Sequence, residues 1–411
     1  MNATVHTVSG EMLSPSHVLI ENGKIKQVGK SNKNFPEDHL IKTIDLKGLH
    51  LYPGLIALNT SLGLSEIGAV RSTRDESEVG DFTPDVQSWI AVNPDSELIP
   101  VARANGITHI EPAPQGGVVS GQSAVVALDG WTSEEMAVKK PAALHVFWPA
   151  MELDFTPKEK FNDQKKWKSL EDQARQREEK LRALEDFFSE ARAYAKAKNA
   201  TNSETKAESN PSWEVMLPVL RGEIPIMVHA NEIRQINSSV KWSDTNRFKI
   251  ILVGGRDARK AAELLASKKI PVIYENIFTL PEDTESYEIH FKAPELLRKA
   301  GVKIAIGLGA DTFNAALIKN LPYAAAQAIA FGFPEEEALK SITLYPAEFL
   351  GVTNRLGSIE VGKDATFFAA DGNIFDIRSH VKRVWIAGKE TNLEDRHTRL
   401  YEKYKNRPKK N

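Results

Sequence analysis

The sequence predicts an α/β protein, a (β/α)8 barrel of the TIM type beside a small β-sandwich that both chain ends build together. Two observations predict this fold. Short apolar runs alternate with helical patterns through the middle of the chain, and β-rich segments with tight turns lie on either side of them. Eight strand–helix repeats over about 300 residues are typical of such a barrel. We therefore expect a composite β-domain of residues 1–52 and 357–411 and a barrel of residues 53–356.

The composition is that of an ordinary globular protein, and it narrows the possible sites. The 411 residues include 53 Lys and Arg, 55 Asp and Glu, ten His and no Cys, for a formal net charge of −2. Without Cys there is no disulfide framework, thiolate metal site or cysteine nucleophile, so a metal site would use His, Asp, Glu or a modified Lys. The nearly neutral chain offers no electrostatic reason to bind nucleic acid.

The first residues already alternate like a strand, and the sequence has neither a signal peptide nor an apolar run long enough to span a membrane. We expect a soluble protein without a membrane partner. Its compartment stays open between the cytoplasm and, if a leader has been removed, a bacterial periplasm.

Both chain ends show the pattern of antiparallel strands. An Asn22-Gly23 turn separates an apolar run from an alternating one, which is a strong hairpin signal. Near the other end, Ser358–Ala370 and Val381–Gly388 have strand composition, and the charged tail from Asn392 predicts a short helix. Packing both ends together is the simplest way to cover these short strands.

The central apolar runs are short and continuous, as expected for parallel strands that are covered on both faces. The predicted barrel strands are Leu55–Ser61, Ile107–Glu111, Ser123–Leu128, Ala142–Phe147, Pro225–Ala230, Phe248–Val253, Pro271–Glu275 and Val302–Gly307. Helical patterns lie between many of them, at Ala258–Ser267, Ala293–Ala300, Leu321–Phe331 and Pro334–Leu350.

Residues 158–200 are the most charged stretch, and apolar side chains recur within it at helical spacing. The pattern predicts one long amphipathic helix or a helix pair. It is either an outer barrel helix with a solvated face or a helix that binds a partner. The polar residues 199–212 that follow predict a mobile loop.

Four stretches together resemble the amidohydrolase superfamily, in particular its imidazolonepropionase-like branch. They are Ile20–Gly29, Ile44–Ile56, Asn320–Ala326 with Ala338–Gly351, and Leu356–Ala365 with Val381–Gly388. The resemblance implies a hydrolase that cleaves a non-peptide C–N bond of a small linear or cyclic amide. In that family a divalent metal such as Zn activates the attacking water, and an Asp that follows the eighth barrel strand moves the proton.

The resemblance also says where the site residues should lie. The family's first barrel strand ends in His-x-His, and here Asn59 and Ser61 stand at those positions. An amide and a hydroxyl are poor ligands for such a metal, so the resemblance implies a degenerate metal site.

Three other side chains match or neighbour the family's positions. His229 matches the metal ligand of the fifth strand, or is a buried His bonded to a neighbour. His145 either joins it in a remnant site or is a packed strand residue. Asp311 is the candidate catalytic carboxylate, with a helix N-cap as its alternative.

Loops after the first two strands carry further polar residues. Arg71, Gln115 and Gln122 are candidate ligand-binding residues, although an ordinary connecting loop would have a similar composition.

Two functions of different class follow from these residues. The chain is either an active C–N hydrolase or a non-catalytic ligand-binding or assembly scaffold that retains the barrel. We expect a small-molecule ligand, and either a homo-oligomer or a pairing with an active sister amidohydrolase.

Overall fold

The structure is a computed structural model that describes residues 1–30, 42–200 and 209–408. Its strands are β1 Ala3–Val5, β2 Leu13–Glu21, β3 Lys24–Lys30, β4 His50–Pro53, β5 Leu55–Thr60, β6 Ile107–Pro112, β7 Val119–Ala127, β8 Ala137–Phe147, β9 Ile226–Ala230, β10 Ile250–Gly254, β11 Val272–Tyr274, β12 Ile304–Ile306, β13 Phe367–Ala370, β14 Val381–Ile386 and β15 Lys389–Thr391.

Its α-helices are α1 Leu98–Arg103, α2 Ser133–Met136, α3 Leu170–Asn199, α4 Pro211–Glu214, α5 Leu217–Leu220, α6 Ile233–Asn246, α7 Ala262–Ser267, α8 Ile289–Lys299, α9 Asn314–Leu317, α10 Leu321–Ala330, α11 Glu335–Ser341, α12 Leu344–Phe349 and α13 Arg396–Lys405. None of the described helices is both long and apolar enough to cross a bilayer.

Strands from both chain ends form one sheet, in the order β15-β14-β13-β4-β1-β2-β3. The two ends meet where β4 pairs antiparallel with β13. The predicted hairpin is confirmed, since Glu21 pairs with Lys24 and the turn residues Asn22 and Gly23 have φ angles of 51° and 74°. These left-handed values suit Asn and Gly, which tolerate them at little cost. A sandwich of two sheets and the limits of the two domains stay predictions.

The central strands form a TIM-like barrel. Each predicted apolar run contains or overlaps one strand of an eight-stranded sheet in the order β12-β11-β10-β9-β8-β7-β6-β5. The sheet curls so that its two ends approach each other. A hydrogen bond shows this approach, since the Asn59 side chain of β5 donates to Glu275, which directly follows β11.

The prediction of eight regular strand–helix repeats is wrong at the third strand. β7 runs antiparallel to both β6 and β8. No helix joins β6 to β7, and the only helix between β7 and β8 is α2, which has four residues. The apolar run could not reveal this, because a strand covered on both faces has the same pattern in either direction.

Two of the later helical patterns form shorter α-helices than predicted. The pattern at 334–350 forms two helices, α11 and α12, with a break at Thr343. The pattern at 258–267 begins as a 3-10 helix over Ala258–Ala261 before α7. The charged tail does form a helix, α13, with Asp395 as its N-cap.

The charged stretch forms the single helix α3, whose N-cap Ser169 accepts a hydrogen bond from the Asp172 amide. Its buried side chains cluster in the C-terminal half, where the Phe188 ring lies 5.1 Å from the Trp242 ring and 5.0 Å from the Phe248 ring. This half is therefore an outer helix of the barrel with a solvated face. Partner binding by α3 stays a prediction, and residues 201–208 of the predicted loop lie outside the described residues.

The barrel interior is layered. Alternate side chains of each strand point inward. The lower layer includes Leu58, Met227 and Ile273, and it packs against apolar residues in and just after α12, such as Ala347 and Leu350. The next inward positions up the strands hold polar side chains, which form the candidate site.

We expect Phe188→Ala to lower the free energy of unfolding by about 3–5 kcal/mol, because it leaves a cavity against two aromatic rings. The matched control is Leu170→Ala on the same helix, where the side chain is 42% exposed and the expected loss is within about 0.5 kcal/mol. Urea unfolding measures both. Equal losses would contradict the packing of α3 on the barrel.

Candidate active site

Four neighbouring strands place polar side chains in the upper layer of the barrel. They are Glu111 on β6, Ser123 on β7, His145 on β8 and His229 on β9. His145 and His229 each stand two residues beyond an inward apolar residue of the same strand, so their side chains also point inward. Glu111, Ser123 and His145 have no exposed surface. Buried polar groups of this kind must satisfy one another.

A hydrogen-bonded chain joins all four of these side chains. His145 Nε2 lies 2.9 Å from Glu111 Oε1 and 2.9 Å from Ser123 Oγ, and His145 Nδ1 lies 2.9 Å from His229 Nε2. With Glu111 as the acceptor, the proton of His145 sits on Nε2 and its Nδ1 accepts from His229 Nε2–H. His229 Nδ1 is then left as a proton acceptor, and the ring is held by stacking on Phe147 at 3.9 Å.

Asn59 ties the first strand to two carboxyl groups. Its backbone N–H donates to Glu111 Oε2 at 2.7 Å, and its side-chain Nδ2 donates to Glu275 Oε1 at 2.6 Å. The residue has a left-handed φ of 47°, which Asn tolerates better than most residues. Its Oδ1 is buried without a hydrogen-bond partner among the described residues.

Glu275 lies where the seventh strand ends. Burial raises the pKa of its carboxyl to about 8, the Asn59 hydrogen bond works against this rise, and the nearby Glu111 adds to it. Gly307, which follows the next strand, leaves room for the side chain, since a Cβ at this position would lie 3.2 Å from Glu275 Cγ. Glu275 is therefore mainly protonated at neutral pH.

The pKa of His229 is shifted in the opposite direction from that of Glu275. Burial, with a smaller contribution from His145, holds the pKa of its imidazole well below the usual range. His229 is therefore neutral at neutral pH. A neutral base and a protonated acid in one site are the pair that acid–base catalysis requires.

Both groups line one cavity of about 420 Å³ at the mouth of the barrel. Asn59, Gln115 and Asp311 line it as well. The cavity lies at the end of the barrel where TIM-type enzymes carry their active sites.

Asp311 lies at the rim of this cavity rather than in the buried layer. Its side chain is exposed, and Oδ1 accepts a hydrogen bond from the Phe313 backbone N–H at 3.0 Å, as the capping alternative predicts. Its backbone carbonyl accepts from Ser61 Oγ at 3.1 Å. The carboxylate is hydrogen-bonded to neither His145 nor His229, so its catalytic role stays a prediction.

The donor set does not fit the divalent metal that the sequence resemblance implies. Residues 1–30, 42–200 and 209–408 contain no group of three or more His, Asp or Glu side chains arranged to hold a metal ion. At the two first-strand positions, the Asn59 amide donates to Glu275 and the Ser61 hydroxyl donates to a backbone carbonyl. The facing nitrogens of His145 and His229 hydrogen-bond to each other.

The three candidate ligand-binding residues lie apart from one another. Gln115 lines the cavity. Gln122 is buried on β7 and donates to the Val215 carbonyl, and Arg71 lies exposed in a 3-10 turn, outside the cavity lining. A ligand-binding role for any of them stays a prediction.

Sequence reasoning gave Glu111 and Glu275 no role, although each ends an apolar run. A carboxylate at the C-terminal end of a barrel strand is a signal for an active site, and it would have found both residues. His109, two residues before Glu111, lies in the buried layer below, bonded to Thr108 Oγ1 at 3.0 Å.

Comparisons with known proteins agree with this architecture. A model of the amidohydrolase family matches residues 247–391. The crystal structure of an amidohydrolase from Thermotoga maritima MSB8 is 30% identical, with a TM-score of 0.81 over 95% of this chain and 98% of that one.

Two curated relatives are similar over smaller shares of their own length. Amidohydrolase tasK of Hapsidospora irregularis is 22% identical over 90% of this chain, and imidazolonepropionase of Pseudomonas fluorescens is 28% identical over 36% of it. The chain spans 39% and 35% of the lengths of these two proteins. Since the Thermotoga structure is 30% identical and is matched along nearly its whole length, this chain belongs to the amidohydrolase superfamily, and part of it is similar to an imidazolonepropionase.

Proposed function

We propose that this chain is a hydrolase that cleaves a non-peptide C–N bond of a small linear or cyclic amide, with His229 as general base and Glu275 as general acid. One observation carries the proposal. The two groups line the same cavity, and burial shifts both of them so that the base is neutral and the acid protonated near neutral pH.

The reaction begins when the amide carbonyl lies against Glu275. Glu275 Oε1 already accepts a hydrogen bond from Asn59, so Oε2 carries the proton. The Oε2–H group donates a hydrogen bond to the carbonyl oxygen and passes its proton to it as water attacks. His229 Nδ1 takes a proton from water as the water oxygen forms a bond to the carbonyl carbon. The C–N bond then breaks as the proton on His229 passes to the leaving nitrogen, and the former carbonyl oxygen returns its proton to Glu275 Oε2 as the C=O bond re-forms. The products are a carboxylic acid and an amine.

Glu111 and His145 orient the base. Because His145 Nδ1 accepts the Nε2 proton of His229, the hydrogen bonds keep His229 in the tautomer with a free Nδ1. The same chain stabilises the imidazolium that forms during the reaction.

Asn59 and Ser61 favour a second candidate function, a non-catalytic ligand-binding or assembly relative. Both side chains are used in internal hydrogen bonds at positions where the family carries its imidazole pair. A dimer, or a complex with an active sister amidohydrolase, belongs to this candidate. Turnover assays separate it from the first.

We expect His229→Gln and Glu275→Gln each to lower kcat by about 10²–10⁴-fold, because each removes one proton-transfer group. The assay measures amine release from a panel of small linear and cyclic amides. The matched controls are His397→Gln and Glu336→Gln, which change exposed residues outside the cavity. If the wild type turns over none of the panel, or the two cavity variants retain full activity, the acid–base assignment is wrong.

Stability should depend on pH through Glu275. The unfolded chain loses this proton near pH 4.5 and the folded chain near pH 8, so folded stability falls as pH rises between these values. We expect Glu275→Gln to remove this loss, so that its free energy of unfolding exceeds that of the wild type by more at pH 8 than at pH 5. Urea unfolding at both pH values measures the difference. An equal difference at the two values would show that Glu275 is ionised in the folded state.

We expect exhaustive dialysis against a chelator to leave turnover unchanged, because the described donor set does not fit a metal and both proton-transfer groups are side chains. Elemental analysis before and after dialysis serves as the control for metal removal. Loss of activity that added Zn restores would contradict the proposed acid–base pair.

A further inference from the structure

The cavity at the barrel mouth is lined by an unusual number of amide side chains. They are Asn59, Gln115, Asn231, Gln235, Asn276 and Asn314. Glu275 and Asp311 also line it, and no Lys or Arg does so among the described residues. An amide can donate or accept, so what the cavity offers a ligand depends on which end of each amide the protein already uses.

The protein uses the nitrogen ends of five of these six amides, all except Asn231. Gln115 Nε2 donates to the Ala113 carbonyl at 3.3 Å, Asn314 Nδ2 donates to the Leu308 carbonyl at 2.6 Å, and Asn276 Nδ2 donates to the Gly254 carbonyl at 2.7 Å. A backbone carbonyl only accepts hydrogen bonds, so the group that faces it in each case is the NH2. Asn59 Nδ2 is taken by Glu275 in the same way.

The oxygens of three of these six amides remain, since those of Asn231, Gln235 and Asn276 already accept hydrogen bonds within the protein. Within the described parts of the chain, no donor reaches Gln115 Oε1 or Asn314 Oδ1. Asn59 is only 3% exposed, and its Oδ1 is buried without a hydrogen-bond partner among the described residues. Asp311 uses one carboxylate oxygen for the Phe313 amide and keeps the other free. A buried acceptor without a donor costs about 1–3 kcal/mol, which a ligand with N–H groups would recover.

The charged groups near the cavity also favour a ligand that donates hydrogen bonds and carries positive charge. Asp311 is an anionic group at the rim. Arg74 is paired with Glu76, and Arg256 with Asp257 and Glu282, so these guanidinium groups are already engaged. A carboxylate ligand would find no Lys or Arg in the cavity lining among the described residues, and burying it beside Asp311 would be unfavourable.

We propose that the substrate of this cavity is a small organic cation with N–H donors, of the amidinium, guanidinium or ammonium class, and not a carboxylate. Its cationic group bonds to Asp311, with the oxygens of Asn314 and Gln115 beside it, while the scissile amide lies toward His229 and Glu275. That this ligand is a substrate rests on the proposed function. Its chemical class rests only on the hydrogen-bond acceptors that line the cavity.

Acetamidinium, acetamide and acetate test this directly, because they have the same heavy-atom shape and differ in donors and charge. Ligand-observed NMR titration of the full chain at constant ionic strength measures the Kd of each. We expect acetamidinium to bind at least about tenfold more tightly than acetate, with acetamide between them. Acetate that binds as tightly as acetamidinium, or acetamidinium that shows no saturable binding up to roughly 50 mM, would overturn the proposal.

A pair of variants locates the binding. Asp311→Asn should weaken acetamidinium at least about fivefold and leave acetamide nearly unchanged, because it removes one charge from the rim. The matched control, Asp85→Asn, changes an exposed carboxylate that does not line this cavity, and it should leave both affinities unchanged. If both variants weaken acetamidinium equally, the cation binds by surface charge alone and the assigned site is wrong.

The outcome separates this inference from the proposed function. Tight acetamidinium binding without turnover of any amide would overturn the hydrolase and leave the ligand class standing. Turnover of neutral or anionic amides by a protein that prefers acetate would overturn the ligand class and leave the hydrolase standing.

Discussion

The two hydrogen bonds that Asn59 donates connect the barrel mouth. The backbone bond reaches Glu111 on the second strand and the side-chain bond reaches Glu275 after the seventh, so one residue of the first strand holds carboxyl groups from both sides of the barrel. Because these bonds lie in the buried upper layer, they are shielded from competing water. The positions of Glu275, the proposed acid, and of Glu111, the carboxyl that orients the proposed base, depend on them.

Burial of two carboxyl groups near each other has an energetic consequence. Burial disfavours the charged form of Glu275, and the nearby Glu111 adds to this effect, so the raised pKa keeps a proton on Glu275. Glu111 instead meets two donors, the Asn59 amide and the His145 ring. The environment thus gives two residues of the same type different hydrogen-bond partners, and under the proposed function the stability lost at Glu275 is the cost of an acid that stays protonated at neutral pH.

Much of the fold was predictable because it follows from local patterns. Apolar runs located the barrel strands, and the Asn22-Gly23 signal located the hairpin. The direction of β7 was not predictable, because burial on both faces erases the difference between parallel and antiparallel strands. The break at Thr343 was also missed, since apolar spacing continues across it.

The sequence by itself determined which residue types stand at the mouth, an amide and a hydroxyl on the first strand and His229 on the fifth. Tertiary structure decided what these residues do. Glu111 and Glu275 are 164 positions apart in the sequence, and only closure of the barrel brings both to Asn59. A pKa depends on burial and on neighbouring charges, and a side chain acquires both only when distant strands pack around it.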